Sequence, residues 1–124
     1  MNSRKLRQSR QTDSRHWRNS RPKALSSIRD SIYRIVRRIP RGSVLSYGDV
    51  GRIVGTGPRQ VAAAMRACPV GLPWHRVVGA GGRIRTPGEY AWIQQERLMA
   101  EGIRFHGTSF SYDVYRWRAK AHSH

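Results

Sequence analysis

The sequence predicts a mainly α domain with a minor β-hairpin, three-helical and of winged helix-turn-helix type, and three observations predict it. Ile28, Ile32, Ile35, Val36 and Ile39 recur at the spacing of one buried helix face. Two further helical stretches are joined by Gly55-Thr56-Gly57, a short turn of the kind that links the helices of a helix-turn-helix. Val77-Val78 and Arg83-Ile84-Arg85 flank Gly79-Ala80-Gly81-Gly82, which reads as a hairpin with a glycine turn.

The first helix is expected from about Ser27 to Arg38, with Ser27 and Asp30 at capping-box spacing. Arg29, Arg34, Arg37 and Arg38 fall outside its apolar stripe, and Pro40 and Gly42 end it. Ser46, three residues before Asp49, opens a second helix that turns Val50, Ile53 and Val54 inward. Pro58 suits the first position of a third helix, Arg59 to about Ala67. Its run Ala62-Ala63-Ala64 leaves the backbone open to close approach, either by another helix or by DNA, and Arg59 and Arg66 share one face. A fourth helix, Glu89 to Glu101, stops at Gly102. The tail from Ile103 to Trp117 is expected to dock as extended structure through Phe105, Phe110, Tyr112, Val114, Tyr115 and Trp117.

A chain of 124 residues allows one small domain. Lys and Arg total 24 against 7 acidic residues, a net charge of +17, which opposes compaction and favours a polyanionic partner such as nucleic acid. Residues 1–23 carry +7 of it with almost no apolar content, and are expected to be a disordered basic arm. Two readings stay open for that arm: non-specific DNA contact, or an extension without a role. Residues 24–124 carry the remaining +10, so the folded part is basic in its own right. No apolar run approaches a membrane span, and Cys68 alone supports neither a disulfide nor a thiolate zinc site. No cofactor, no metal and no membrane partner is expected, and the chain is placed in the cytoplasm, with bacterial nucleoid or, in a eukaryote, nuclear DNA.

One stretch carries the chemistry: Pro73-Trp74-His75-Arg76-Val77-Val78 sets an indole, an imidazole and a guanidinium between a helix breaker and a β-branched pair. It resembles the Pro-Cys-His-Arg-Val active-site motif of the O6-alkylguanine-DNA alkyltransferases, with Trp74 where that family has its reactive cysteine. The flanks match too: Val44-Leu45-Ser46-Tyr47 is similar to the entry to the family's helix-turn-helix, and Arg59 to Arg66 is similar to its recognition helix. The resemblance spans roughly residues 28–118, and the tryptophan points to the alkyltransferase-like proteins, which bind damaged guanine without repairing it.

What the resemblance implies is a minor-groove docking helix, a flipped nucleotide and a lesion pocket. It assigns DNA contacts to Ser46, Tyr47, Arg59, Gln60, Ala62, Ala63, Arg66 and Arg76, with Arg59 filling the gap left by the flipped base. The lesion pocket is expected to be lined by Tyr47, Trp74, Val77 and Arg85. Pro87 falls nearest the position of the family's loop arginine, so its stacking role passes to Arg85 two residues before. His75 and Glu101 match the family's catalytic histidine and glutamate, while Cys68 stands where it has asparagine. With no thiol at position 74, His75 and Glu101 are expected to persist as a structural hydrogen-bond pair and no residue is assigned a catalytic role. The implied partners are duplex DNA containing O6-alkylguanine and a UvrA-type excision-repair protein, with the chain acting as a monomer. Two alternatives remain: residual alkyl transfer through Cys68, its thiol acidified by Arg66, and a sequence-specific helix-turn-helix regulator that ignores lesions.

Overall fold

The computed structural model describes residues 28–118. The chain divides into two units, Met1–Asp30 and Ser31–His124. Only the first turn of the opening helix represents the former among the described residues, and the basic arm expected over residues 1–23 and the Ser27 cap lie outside them.

Helix α1 runs over residues 28–38, and β1 is Leu45–Ser46. Helices α2 (Tyr47–Val54) and α3 (Pro58–Arg66) follow. A 3-10 turn, Trp74–Arg76, leads into β2, Val77–Val78. Helices α4 (Glu89–Ala100) and α5 (Tyr112–Tyr115) complete the chain. The fold is mainly helical with a two-stranded sheet, as the sequence predicts.

The pairing inside that sheet differs from expectation. β2 pairs in parallel with β1, Leu45 opposite Val77 and Ser46 opposite Val78. Of the expected hairpin only an antiparallel bridge between Gly79 and Arg83 survives, closed by the Gly79 N–H to the Arg83 carbonyl at 2.7 Å. The tail departs too, since Tyr112–Tyr115 is helical.

The period-two alternation of strands explains why two apolar clusters form. Leu45 and Val77 point to one side, into a cluster with Ile32, Val36, Ile39, Val50, Val61, Ala64 and Leu72. Val44 and Val78 point to the other, to Leu98, Ile103 and Phe110. Phe110 stacks edge-on with Phe105 and Tyr115 at centroid separations of 5.1 and 5.9 Å, favourable geometry for aromatic quadrupoles. Of the three α2 residues expected inward, Val50 is buried and Val54 packs against the first cluster, while Ile53 is half exposed.

The α2–α3 turn is tight for a steric reason. A side chain on Gly51 would drive its Cβ into the Thr56 carbonyl oxygen at 2.5 Å. Gly55, in the left-handed region at φ 87°, closes α2 by donating its N–H to the Gly51 carbonyl. Tyr33 on α1 then donates to the Ala64 carbonyl at 2.8 Å, fixing the last turn of α3.

The start of α2 is held by a polar cluster. Ser46 accepts from the Asp49 N–H at 3.0 Å, the cap its spacing predicts. The Tyr112 hydroxyl accepts from the Ser46 N–H at 2.8 Å and donates to Asp49 at 2.5 Å, while Arg116 approaches the same carboxylate at 3.3 Å. Burial works against an ionised Asp49, but Tyr112, Arg116 and Arg52 outweigh it and hold its pKa below the usual range. Tyr112→Phe leaves the Ser46 N–H unsatisfied and should lower stability by about 1–2 kcal/mol. In urea unfolding this appears as a lower midpoint at an unchanged slope.

Candidate nucleic-acid interface

Helix α3 presents Arg59, Gln60, Ala63 and Arg66 to solvent, and Arg59, Ala63 and Arg66 share one face at i, i+4 and i+7. Ala62 is half-buried, and Ala64 and Val61 are buried. The exposed face is thus low in profile at Ala63 and cationic at both ends, a shape that lets a phosphate backbone or groove come close.

Tyr47 sits at the head of α2, half-buried against the first apolar cluster. Burial raises the pKa of its hydroxyl, opposed by a hydrogen bond with Thr86 and by the charges of Arg66 and Arg85. Tyr47, Thr86, Arg66 and Arg85 therefore form one neighbourhood although they come from three parts of the chain. Arg85 is exposed, and the stem of its side chain lies over Gly79, in space that a Cβ at that glycine would take.

Trp74, at the head of the 3-10 turn, is half-buried. It meets Tyr90 edge-on at 6.2 Å and His75 at 6.3 Å, and the Arg97 guanidinium lies 5.4 Å from its ring centroid. The cation over the indole is therefore Arg97 of α4, which sequence reasoning missed together with Tyr90. The two are seven residues apart on one helix face, the only signal that could have found them.

Behind Trp74 lies a charged cluster that faces inward. His75 Nε2 is 2.7 Å from Glu101 Oε2. Arg76 donates to Glu101 through Nε and Nη2, the latter at 2.7 Å, and through Nη1 to the Ile39 carbonyl at 2.9 Å. The Gly42 N–H donates to Glu101 Oε1 at 2.9 Å. Burial disfavours the Glu101 carboxylate, but these donors overcome it and bring its pKa down to about 2. His75 moves the other way from a charged state: burial, together with the charges of Arg76 and Arg97, outweighs the pull of Glu101 and holds its pKa below 6.5, so the neutral ring prevails at pH 7. A neutral ring donating from Nε2 leaves Nδ1 as an acceptor, and that atom is buried without a hydrogen-bond partner.

Several expected site residues are placed elsewhere than the resemblance implied. Arg76, expected on DNA, has its guanidinium committed to Glu101 and Ile39, because a buried carboxylate at that point requires a cation. Ser46 is buried, its hydroxyl capping α2. Val77 is 1% exposed, and strand alternation turns it into the core rather than toward Trp74. Cys68 is half-buried; burial pushes its thiol pKa up, and the cation that partly offsets this is Arg37, not Arg66. No cluster of potential metal ligands and no helix long and apolar enough to cross a membrane occurs among the described residues.

Fold and site together define a helix-turn-helix domain with an indole at the head of an alkyltransferase-type loop. The family described as 6-O-methylguanine DNA methyltransferase, DNA binding domain, matches residues 27–103. The DNA base-flipping protein of Escherichia coli (strain K12) is 38% identical over 96 residues, 73% of this chain and 74% of that protein. Alkyltransferase-like protein 1 of Schizosaccharomyces pombe is 37% identical over 86 residues, 63% of this chain and 78% of its own. Among solved structures, S. pombe Atl1 in complex with damaged DNA containing O6-carboxymethylguanine is similar at a TM-score of 0.69 and 31% identity, over 75% of this chain and 96% of that one. The chain belongs to the 6-O-methylguanine DNA methyltransferase DNA-binding family, as an alkyltransferase-like member.

Proposed function

We propose that this chain is a non-enzymatic damage sensor. It binds O6-alkylguanine in duplex DNA by laying α3 in the minor groove and drawing the damaged nucleotide out of the stack. Arg59 occupies the gap, while Tyr47, Trp74 and Arg85 receive the base, Trp74 giving apolar contact to the O6-alkyl group. The bound protein marks the lesion for nucleotide excision repair through a UvrA-type partner, acting as a monomer in the compartment that holds the DNA.

The observation that carries this reading is Trp74 itself. An indole cannot accept an alkyl group as a thiolate does, so the loop keeps a surface that touches the lesion and lacks the nucleophile that would react with it. The relatives support the same direction, since the E. coli protein is named for base flipping and S. pombe Atl1 is crystallised with damaged DNA. Cys68 is a poor replacement, because its burial favours the unreactive thiol.

Incubating the chain with a duplex labelled on the O6-methyl group tests the absence of chemistry. No label should reach the protein, and Cys68→Ser should bind the duplex as the parent does. Transfer of label that disappears in Cys68→Ser would establish an enzyme instead.

A further inference from the structure

We infer that Gln94 is a positioning residue of the lesion site, holding the Trp74 loop on one side and, through Thr86, Tyr47 on the other, so that both keep a fixed separation. This inference rests on the damage-sensor reading above and extends it to a residue that never meets the base.

Gln94 is 1% exposed, and it is the one polar member of the largest fully buried side chains among the described residues. A carboxamide in such a place is destabilising unless every polar atom is paired. Here Nε2 donates to the His75 carbonyl at 3.1 Å and to the Val77 carbonyl at 2.9 Å, and Oε1 accepts from the Thr86 hydroxyl at 2.5 Å. The partners fix the orientation of the amide, because the flipped rotamer would set Oε1 against two carbonyl oxygens. The two carbonyls flank Arg76 on the turn that begins at Trp74. The Thr86 hydroxyl also lies beside the Tyr47 hydroxyl, near enough to oppose the rise in its pKa. Three separate segments, the Thr86 loop, α4 and the Trp74 turn, thus meet on one buried amide, with the head of α2 beside Thr86.

Packing does not require a polar residue there, since Leu98 one turn on is equally buried and apolar. What the amide adds is direction: three hydrogen bonds of defined geometry between the two groups proposed to face the base. A recognition site loses discrimination when its walls drift by a fraction of an ångström, whereas phosphate contacts from an exposed arginine helix tolerate such drift.

The test uses the full chain and two duplexes identical except for a single O6-methylguanine, and reads the ratio of the undamaged to the damaged Kd. Gln94→Met and Thr86→Val should each lower that ratio by about fivefold, the range of one lost hydrogen bond, with the undamaged Kd almost unmoved. Thr86→Val changes only a half-buried hydroxyl and stays informative if Gln94→Met fails to fold. In a Tyr47→Phe background, Thr86→Val should produce no further fall, because the hydroxyl it acts through is gone. A ratio unchanged in Thr86→Val, an equal loss on both duplexes, or the same fall in the Tyr47→Phe background overturns the inference alone. A parent ratio of one overturns the damage-sensor reading and the inference with it.

Discussion

Replacing Glu101 by glutamine should lower the stability of the domain by about 3 kcal/mol, the order seen when one partner of a buried ion pair is removed. The carboxylate has 5% side-chain exposure and joins the end of α4 to the Trp74 turn, to the Gly42 N–H and, through Arg76, to the end of α1. A carboxamide turns an N–H toward Arg76 or His75, both of which donate, and leaves the guanidinium without a counter-charge. For a domain of this size the melting temperature should fall by roughly 15 °C at pH 7. A fall of only a few degrees would show that the cluster is dispensable.

The same cluster sets the acid limit of the fold, and the sign follows from the direction of each shift. His75 has a folded pKa below its ordinary 6.5, so on acidification the unfolded chain takes up this proton first, and stability declines as pH falls below 6.5. Glu101, held at about 2 against an ordinary 4.5, contributes stability that is full above 4.5 and is lost as pH falls toward 2. Thermal unfolding between pH 7 and pH 3 should therefore show a parent curve that steepens below 4.5. Glu101→Gln should start lower and lose most of that steepening, with Asp49 supplying what remains.

The second large effect concerns DNA. Arg59→Ala should weaken binding to a duplex containing O6-alkylguanine by about 2 kcal/mol, roughly thirtyfold, because only the flipped state needs a side chain in the vacated stack. Arg59 lies exposed at the first turn of α3, where its aliphatic stem is free to enter a groove and its guanidinium to meet phosphate. On undamaged DNA it is one of several basic contacts, so its removal should reduce the salt slope by about one unit and cost only a few-fold. Equal losses on the two duplexes would contradict the proposed role of Arg59.

Local chemistry explains which features were legible in the sequence. The Ser46 cap, Pro58 at the start of α3 and Gly102 after α4 depend on neighbours within four residues, and the structure places them where spacing puts them. The loop motif with Trp74 was legible because its residue types are improbable together. Pairing between β1 and β2 was not, since the register of Leu45 with Val77 is set by how the intervening helices pack, and the glycine-rich Gly79-Ala80-Gly81-Gly82 after Val78 imitates a hairpin turn. Arg76 differs from what the resemblance implied for a related reason: its commitment to Glu101 appears only when α4 returns to the loop. Gln94 left a trace that went unread, falling on the inner stripe of α4 with Leu98 and Glu101 at i+4 and i+7.

The most direct measurement is a binding titration of one duplex with and without a single O6-alkylguanine, repeated across a series of salt concentrations. A damage sensor of this design binds the modified duplex more tightly at every ionic strength, while both affinities fall with salt as counterions are displaced. Identical affinities throughout the series would contradict it, and would leave a basic helix-turn-helix domain that holds DNA without regard to damage.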